Sequence, residues 1–191
     1  GDKSSLTSDA AAAIKKYVVE KEPDVVLLVD YHNGLFDSQE MTQDLVSFIK
    51  GCGVTVICSS QISDGESRYS YFAGADYICM NHAEALRTHD AFTDSLQGMQ
   101  TLVDELKSSV VVTLGSSGAI LYTTLPIPML TSHPGHPVEI VDTCGAGDAF
   151  LSAFALCHEK RDLAFCNKWA AAATLKRGTE PPTYEDLDGL D

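Results

Sequence analysis

The sequence predicts an α/β fold in which a mostly parallel sheet carries helices on both faces. Helical and strand-like segments alternate along the chain, as they do in proteins built around a parallel sheet. The strand-like segments are short apolar runs without polar alternation, which is typical of strands buried on both sides. With 191 residues and 45% hydrophobic content, the chain can bury a sizeable core. We therefore expect one domain over residues 1–191.

In the first half of the chain, capping residues and apolar runs define the elements. Thr7 or Ser8 can cap a helix that runs to about residue 20, and a capping box of Asp37 and Glu40 can start a second helix that ends near residue 51. Thr93 can cap a third helix, whose apolar face extends to residue 106. The predicted strands of this half are residues 25–29, 54–58 and 75–80.

The second half is predicted to contain a hairpin, a loop, a strand and two helices. Strands at 110–114 and 119–122 flank a turn with two glycines, which predicts a hairpin at one edge and hence a mixed sheet. Four prolines between residues 124 and 137 predict a loop or flap, and the apolar run 138–141 predicts another strand. The final helices are predicted at about 147–159 and 163–176.

The segment from Asp142 to Phe150, with the sequence DTCGAGDAF, is the most informative part of the chain. It follows the predicted strand at 138–141 and leads into an apolar helix. A strand, a glycine turn and a helix start in this order bring backbone N–H groups and the positive end of a helix dipole to one point, where anions bind. Asp148 adds a carboxylate that is out of place in a simple phosphate cradle unless it acts as a base. Phosphoryl transfer to a hydroxyl requires an anion site beside a base.

This segment resembles the signature of the ribokinase-like (phosphofructokinase B) family of carbohydrate kinases, which have a Rossmann-like sheet. The resemblance implies that the turn of Gly145, Ala146 and Gly147 binds the transferring phosphate and that Asp148 takes the proton from the acceptor hydroxyl. Two other interpretations remain open. The first is a plain glycine turn in which Asp148 only complements the helix dipole. The second is a dinucleotide-binding fingerprint, although Phe150 occupies its third glycine position.

Asn81 and Glu84 match a second pattern of the family, Asn-x-x-Glu after a strand. The resemblance implies that Asn81 lies near the nucleotide phosphates and that Glu84 helps to hold Mg²⁺, partly through water. The same spacing is that of a capping box at a helix start, with Asn81 as N-cap and Glu84 at the third helical position. Both roles can coexist.

Two further places match the family in the same order along the chain. Thr113 and Gly115 follow a strand, and the resemblance places them near the phosphates or ribose of ATP, although Gly115 is also an ordinary hairpin glycine. Asn167 and Ala171 lie in an alanine-rich segment, and the resemblance places them against the adenine ring, where short side chains leave room. The alternative is a helix whose alanine face packs tightly on a neighbour.

Within the family, the order of motifs resembles most the heptose 7-phosphate kinase half of bacterial ADP-heptose synthases. Those kinases usually have Gly and Lys after an Asp-Tyr pair, where this chain has His32 and Asn33. Their next strand usually ends in Asp-Pro-Lys, and the corresponding residues here are 59–61, with the sequence SSQ. We expect a sugar or sugar phosphate as the acceptor, with a nucleoside or vitamin alcohol as an alternative within the family.

The resemblance extends from about Asp24 to Thr179 but covers only the C-terminal part of a family member. The Gly-Gly sugar-recognition motif, the sugar-binding Asp and the β lid of the family are not found in the sequence. Three explanations are open: a fragment, a chain that pairs with a separate N-terminal part or in a homodimer, and a truncated descendant. A non-catalytic nucleotide-binding or scaffold module is therefore the alternative to a kinase.

The composition of the chain indicates which classes of partner and which cellular compartment to expect. The chain has 27 acidic and 13 basic residues, a net charge of −14, and no basic cluster, so we expect neither nucleic acid nor membrane as a partner. No apolar stretch approaches the ~20 residues of a membrane span. The six cysteines form no C-x-x-C pair, and Cys58, Cys79 and Cys157 lie in apolar segments, as reduced core cysteines usually do, which favours a reducing cytoplasm. The resemblance implies ATP and Mg²⁺ as cofactors, and the acidity does not exclude them, because a backbone anion site and a divalent cation can bind a nucleotide locally.

Overall fold

Six strands form one sheet in the order β1-β2-β3-β4-β5-β6 in the computed structural model, which describes residues 7–62, 67–90, 92–124 and 127–190. The strands are β1 (Val25–Asp30), β2 (Thr55–Ser60), β3 (Tyr77–Asn81), β4 (Ser109–Thr113), β5 (Ala119–Thr123) and β6 (Met129–His133). The pairs β1–β2 and β2–β3 are parallel, with Asp30 opposite Ser60. The predicted mostly parallel α/β fold is confirmed.

The α-helices of the described residues include the five predicted ones, with small shifts at their ends, a short helix that starts at the predicted capping box of Asn81, and a C-terminal helix that was not predicted. They are α1 (Ser8–Lys21), α2 (Gln39–Gly51), α3 (His82–Thr88), α4 (Leu96–Leu106), α5 (Ala146–Cys157), α6 (Leu163–Thr174) and α7 (Tyr184–Asp188). Thr7 caps α1 through its side chain, which accepts a first-turn N–H. None of these helices has both the length and the apolar character that crossing a bilayer requires.

Two predicted caps are wrong by one or two residues. Ser38 caps α2, and the Asp37 carboxylate instead accepts a hydrogen bond from the Arg68 guanidinium at 2.6 Å. Ser95 caps α4, and the Thr93 hydroxyl lies 2.7 Å from the Ser95 hydroxyl. In each case a serine one or two residues further along the chain provides the capping oxygen, and its short side chain serves equally well.

The hairpin prediction is confirmed, but its place at the sheet edge is wrong. Residues 114–118 join β4 to β5, and the Leu114 N–H donates to the Gly118 carbonyl oxygen at 2.7 Å. A parallel crossover needs a dozen or more residues, so these neighbouring strands are antiparallel. Strand β6 lies beyond β5, inside the stretch 124–137 that was predicted as a loop. Prolines flank β6 rather than interrupt it, which is where strands tolerate them.

The predicted strand at 138–141 is also wrong. These residues are not in a strand, and the side chains of Ile140 and Val141 are 52% and 55% exposed. The N–H groups of Val141 and Asp142 both donate to the Thr174 carbonyl oxygen, at 2.9 and 3.1 Å. The apolar run is therefore anchored to the end of α6, and its apolar side chains do not pack in the sheet.

The chain divides into two compact units, one of residues 1–111 and 122–129 and the other of residues 112–121 and 130–191. In the first unit, α2 buries Leu45 and Ile49, and β2 buries Val56 and Ile57. The second unit contains α5, α6 and α7, and its core includes Phe150, Phe154, Cys166 and Ala172. That residues 1–191 behave as one domain stays a prediction.

Candidate active site

A cavity of about 460 Å³ lies in the second unit. Its walls come from the turn after β4, the segment after β6, the first turn of α5 and one side of α6. Six residues predicted from the sequence line it together: Thr113, Gly115, Ala146, Gly147, Asn167 and Ala171. A volume in this range suits a small-molecule ligand or cofactor.

Helix α5 begins in a way that suits an anion. Its N-cap is Gly145, in a left-handed conformation with φ +78°, and no side chain caps the helix there, whereas side chains cap α1, α2, α3, α4 and α6. Glycine adopts this conformation at little cost. Ala146 and Gly147, the first two helical residues, line the cavity. The positive end of the α5 dipole therefore faces a space that a ligand can enter.

The Asp142 carboxylate holds the loop before α5 in place. Its Oδ1 accepts the Cys144 N–H at 3.0 Å, and its Oδ2 accepts the Gly178 N–H at 2.8 Å. These two hydrogen bonds, that from Cys144 first, hold the pKa of the Asp142 carboxyl below its ordinary value. The sequence prediction missed this role, although an Asp that accepts an N–H two residues later is a common turn signal.

We expect Asp142→Asn to lower the melting temperature at neutral pH, because an amide has one acceptor oxygen and two N–H groups need one each. Folding lowers the pKa of the Asp142 carboxyl, so the charged carboxylate stabilises the folded state. This stabilisation is fully present above the unfolded-state pKa of about 3.9 and is lost as pH falls through the lower folded-state pKa. Thermal melts from pH 7 to pH 3 should show the gap between the variant and the wild type shrink below about pH 4.

The control for this series is Asp104→Asn, which changes an exposed aspartate of α4. Its melting temperature should stay within roughly 2 °C of the wild type at each pH, as is usual for surface substitutions. A gap for Asp142→Asn that is the same at pH 3 and pH 7 would contradict the assigned role of the carboxylate.

Two glycines allow the hairpin turn to touch the segment after β6. A Cβ atom at Gly118 would overlap the His133 carbonyl oxygen and the Gly135 nitrogen, and one at Gly135 would overlap the Ser116 carbonyl oxygen. Gly118 also has φ +99°, in the left-handed region. Both glycines line the cavity, so this backbone contact fixes the shape of one wall.

The inner face of α6 combines a structural amide with small side chains. The Asn167 side chain is buried, and its Nδ2 donates to the carbonyl oxygens of His133 and Pro134, both at 3.0 Å. Both amide hydrogens are thus used, and the Oδ1 is left as an acceptor. Ala170 and Ala171 line the cavity, while Ala172 is fully buried. The helix therefore uses its alanines both as cavity wall and as core.

Asn81 and Glu84 lie in the first unit and form the capping box that was one of their two predicted roles. The Asn81 Oδ1 accepts the Glu84 N–H at 2.9 Å, and the Glu84 Oε2 accepts the Asn81 N–H at 2.8 Å. The same Oε2 accepts the buried Tyr69 hydroxyl at 2.8 Å. Burial, and then the negative charge of Glu84, raise the pKa of Tyr69 well above its ordinary value. The magnesium role of Glu84 and the phosphate role of Asn81 stay predictions.

The predicted base, Asp148, is exposed and lies in the first turn of α5. Its backbone carbonyl accepts the Ser152 hydroxyl at 2.8 Å, which fixes the main chain of this turn. Asp148 and Gly145 are neighbours of the cavity-lining residues in sequence but do not line the cavity themselves. The assignment of Asp148 as base therefore stays a prediction.

Several cavity residues were not predicted from the sequence. Val138 and Ile140 line the cavity from the segment that was taken for a strand, and Ala170 and Thr174 line it from α6. The alternation of 138 and 140 indicates one shared face, but it does not say whether that face covers a sheet or a ligand. The exposed Ile140 side chain therefore borders the cavity instead of covering a sheet.

Similarity to known proteins identifies the family of the chain. The profile of the pfkB family carbohydrate kinases matches residues 37–185. This chain belongs to the pfkB family of carbohydrate kinases. The matched range includes the first turn of α5, the capping box of Asn81 and Glu84, and all of α6, so the resemblance inferred from the sequence is confirmed for the pfkB family.

Individual relatives of this pfkB-family chain agree with that assignment. The bifunctional protein HldE of Rhodopseudomonas palustris is 24% identical over 198 residues, covering 95% of this chain and 39% of that protein. Phosphofructokinase-2 from Escherichia coli in complex with potassium superposes with a TM-score of 0.79 at 22% identity, over 97% of this chain and 62% of that chain. Ribokinase from Arabidopsis thaliana complexed with ribose and ATP gives 0.68 at 22% identity, over 96% and 59%. The chain spans 28–54% of the curated relatives that it matches.

Proposed function

We propose that the chain is the ATP-binding and catalytic part of a carbohydrate kinase, which transfers the γ-phosphoryl group of ATP to a hydroxyl of a sugar or sugar phosphate. The observation that carries this proposal is the cavity of the second unit, where the first turn of α5 and the alanine side of α6 line the same space. A nucleotide has a polyanionic end and a flat base. The helix start suits the anion, and the short side chains suit the base.

Two glycines support the fit of a nucleotide to this cavity. Gly115 and Gly147 both line it, and an added Cβ atom at either position would meet no atom within 4 Å. The main chain therefore borders open space on the turn after β4 and on the start of α5. Such bare main chain lets N–H groups approach phosphate oxygens closely.

In the proposed reaction, the residues at the start of α5 and on α6 have distinct physical tasks. The N–H groups of Ala146, Gly147 and Asp148 bind the transferring phosphoryl group and stabilise the charge that develops on it. The Asp148 carboxylate accepts the proton of the acceptor hydroxyl as the hydroxyl oxygen attacks phosphorus. Asn167 and Ala171 border the base.

The remaining predicted ligands complete the proposal. Thr113 and Gly115 border the phosphates or ribose, and Asn81 and Glu84 assist Mg²⁺. The ion would neutralise phosphate charge when bound, and it needs few direct protein ligands. Among the described residues, no group of three or more His, Cys, Asp or Glu side chains could hold a metal ion. A magnesium ion held mainly by ATP and water fits that observation.

Nucleotide binding is tested most sharply with Gly147→Ala. The added methyl group meets no protein atom, and alanine is a better helix former than glycine, so the fold should be at least as stable as in the wild type. In the proposed complex the methyl group takes up space that the phosphates need. We therefore expect the Kd for Mg-ATP, measured by isothermal titration calorimetry, to rise about tenfold or more, a loss of roughly 1.4 kcal/mol.

The matched control is Gly51→Ala, at the end of α2, where an added Cβ atom also meets nothing within 4 Å. This variant should bind Mg-ATP with the wild-type Kd. If Gly147→Ala binds as tightly as Gly51→Ala, or if the wild type shows no binding, the nucleotide site is wrongly placed.

A second candidate function is a non-catalytic nucleotide-binding or scaffold module. The observation that favours it is the sequence SSQ at residues 59–61, where the heptose 7-phosphate kinases that the chain resembles usually have Asp-Pro-Lys. A phosphotransfer assay over a panel of sugars and sugar phosphates, with the longest native form of the polypeptide, separates the two candidates. Turnover on any of them supports the kinase, and ATP binding without turnover supports the module.

The acceptor, the assembly and the compartment are part of the same proposal. A sugar or sugar phosphate is favoured because the chain belongs to a family of carbohydrate kinases. We propose that the acceptor site is completed by an N-terminal part or by a second copy in a homodimer. A reducing cytoplasm is favoured because none of the six cysteines forms a disulfide.

A further inference from the structure

Two thiols face each other where α5 ends and α6 begins. Cys157 is the last residue of α5, Cys166 lies in the first turn of α6, and their Sγ atoms are 3.4 Å apart. Five residues, 158–162, join the two helices. The Arg161 N–H donates to the Cys157 carbonyl oxygen at 2.9 Å, and Asp162 caps α6. Backbone hydrogen bonds, a cap and a contact from the Cys157 thiol to the Asp162 carbonyl oxygen at 3.6 Å therefore build this corner.

The two thiols differ in access. Cys157 is half-buried, whereas Cys166 is fully buried behind it. The hydrogen bond with Cys166 lowers the pKa of the Cys157 thiol, against the opposing effect of burial. The backbone of Asp162 and the charge of Lys160 also lower this pKa, whereas the charge of Asp162 raises it. By contrast, burial raises the pKa of the thiols of Cys58 and Cys79. Cys157 is thus the better nucleophile of the pair, and solvent reaches it first.

We propose that Cys157 and Cys166 are a reversible dithiol–disulfide site that takes a hydroperoxide as its oxidant. The Cys157 thiolate attacks one peroxide oxygen, the O–O bond breaks, and after protonation of the leaving group the products are a sulfenic acid at Cys157 and an alcohol or water. The Cys166 sulfur then attacks the sulfenic sulfur, its proton goes to the departing hydroxide, and water leaves. Two thiols and one hydroperoxide thus give one disulfide, water and an alcohol or a second water.

The geometry requires little movement for the second step. A disulfide has an S–S distance of about 2.05 Å, so the two sulfur atoms need to approach by about 1.4 Å. Rotation of two side chains can supply a movement of this size. The bond would close a loop of only ten residues, from 157 to 166, between two helices that line the cavity. The proposal does not depend on phosphotransfer.

The experiment uses the full chain with Cys52→Ser and Cys144→Ser, which removes the two exposed thiols and leaves four cysteines. After one equivalent of hydrogen peroxide, thiol titration should fall from four to two, and peptide mapping should link residues 157 and 166. Because a short covalent loop restricts the unfolded chain, the melting temperature should rise by about 5 °C and return on reduction with dithiothreitol.

Two variants on the same background test the order of steps. With Cys166→Ala, Cys157 should accumulate as a sulfenic acid that dimedone traps. With Cys157→Ala, Cys166 should remain a thiol after peroxide, and circular dichroism checks that each variant is folded. The proposal would be overturned by four thiols remaining after peroxide or by a disulfide between other cysteines. It would also be overturned by a sulfinic acid at Cys157 while Cys166 stays reduced.

Discussion

Asp148→Asn should reduce phosphotransfer by about 10²–10⁴-fold, the usual effect of losing a general base. An amide cannot accept the proton of the attacking hydroxyl, but it has nearly the same size as the carboxylate. Because Asp148 is exposed in the first turn of α5 and its backbone carbonyl bonds Ser152, the exchange leaves the local main chain intact. Binding of Mg-ATP should therefore persist while turnover falls.

The competing interpretation, in which Asp148 only complements the α5 dipole, has a matched control. Asp9 is also an exposed acid in the first turn of a helix, α1. Asp9→Asn should cost about 0.3–1 kcal/mol of stability and leave turnover unchanged. If Asp148→Asn behaves in the same way, with wild-type turnover on the acceptor that the native protein uses, then Asp148 is not the base.

Gly118→Ala should be among the most destabilising single substitutions in the second unit. The alanine has to adopt a backbone conformation with φ +99°, which is strained for any residue with a side chain. Its Cβ atom also has to displace the main chain of residues 133–135. We expect a cost of about 3 kcal/mol or more, which corresponds to a drop of roughly 8 °C in melting temperature. Since Gly118 lines the cavity, binding of Mg-ATP should weaken in the same variant.

Gly53→Ala separates the two causes of this effect. Gly53 has φ +78°, but an added Cβ atom meets no atom within 4 Å, so only the conformational cost remains. That variant should lose about 1 kcal/mol, measured by chemical denaturation. Equal losses for Gly53→Ala and Gly118→Ala would show that the backbone contact with residues 133–135 contributes little.

Most of the fold could be predicted from the sequence because its elements have local causes. Strands β1 and β2 contain continuous apolar runs, and α1 and α3 start at the predicted cap residues. The capping positions of α2 and α4 were missed because two serines stand close to the predicted residues and compete with them. A choice between two suitable side chains depends on tertiary contacts, such as the bond of Asp37 to Arg68, which the sequence does not reveal.

The candidate site was predicted in part, and the missing part has a physical reason. Motif residues such as Gly147 and Asn167 were found through the resemblance to the family, and both line the cavity. Val138 and Ile140 were misassigned because an apolar run has the same appearance whether it covers a sheet or a ligand. The anchoring role of Asp142 was missed because its second partner, Gly178, is 36 residues away in the chain.

One carbonyl group links the two ends of the cavity. The Thr174 oxygen receives N–H groups from Val141 and Asp142, and Asp142 in turn reaches Gly178. The loop that precedes the α5 start is thus fastened to the same helix whose alanines border the opposite end of the space. The position of the loop before α5 therefore depends on the end of α6. A substitution that moves the Thr174 carbonyl oxygen should also shift this loop.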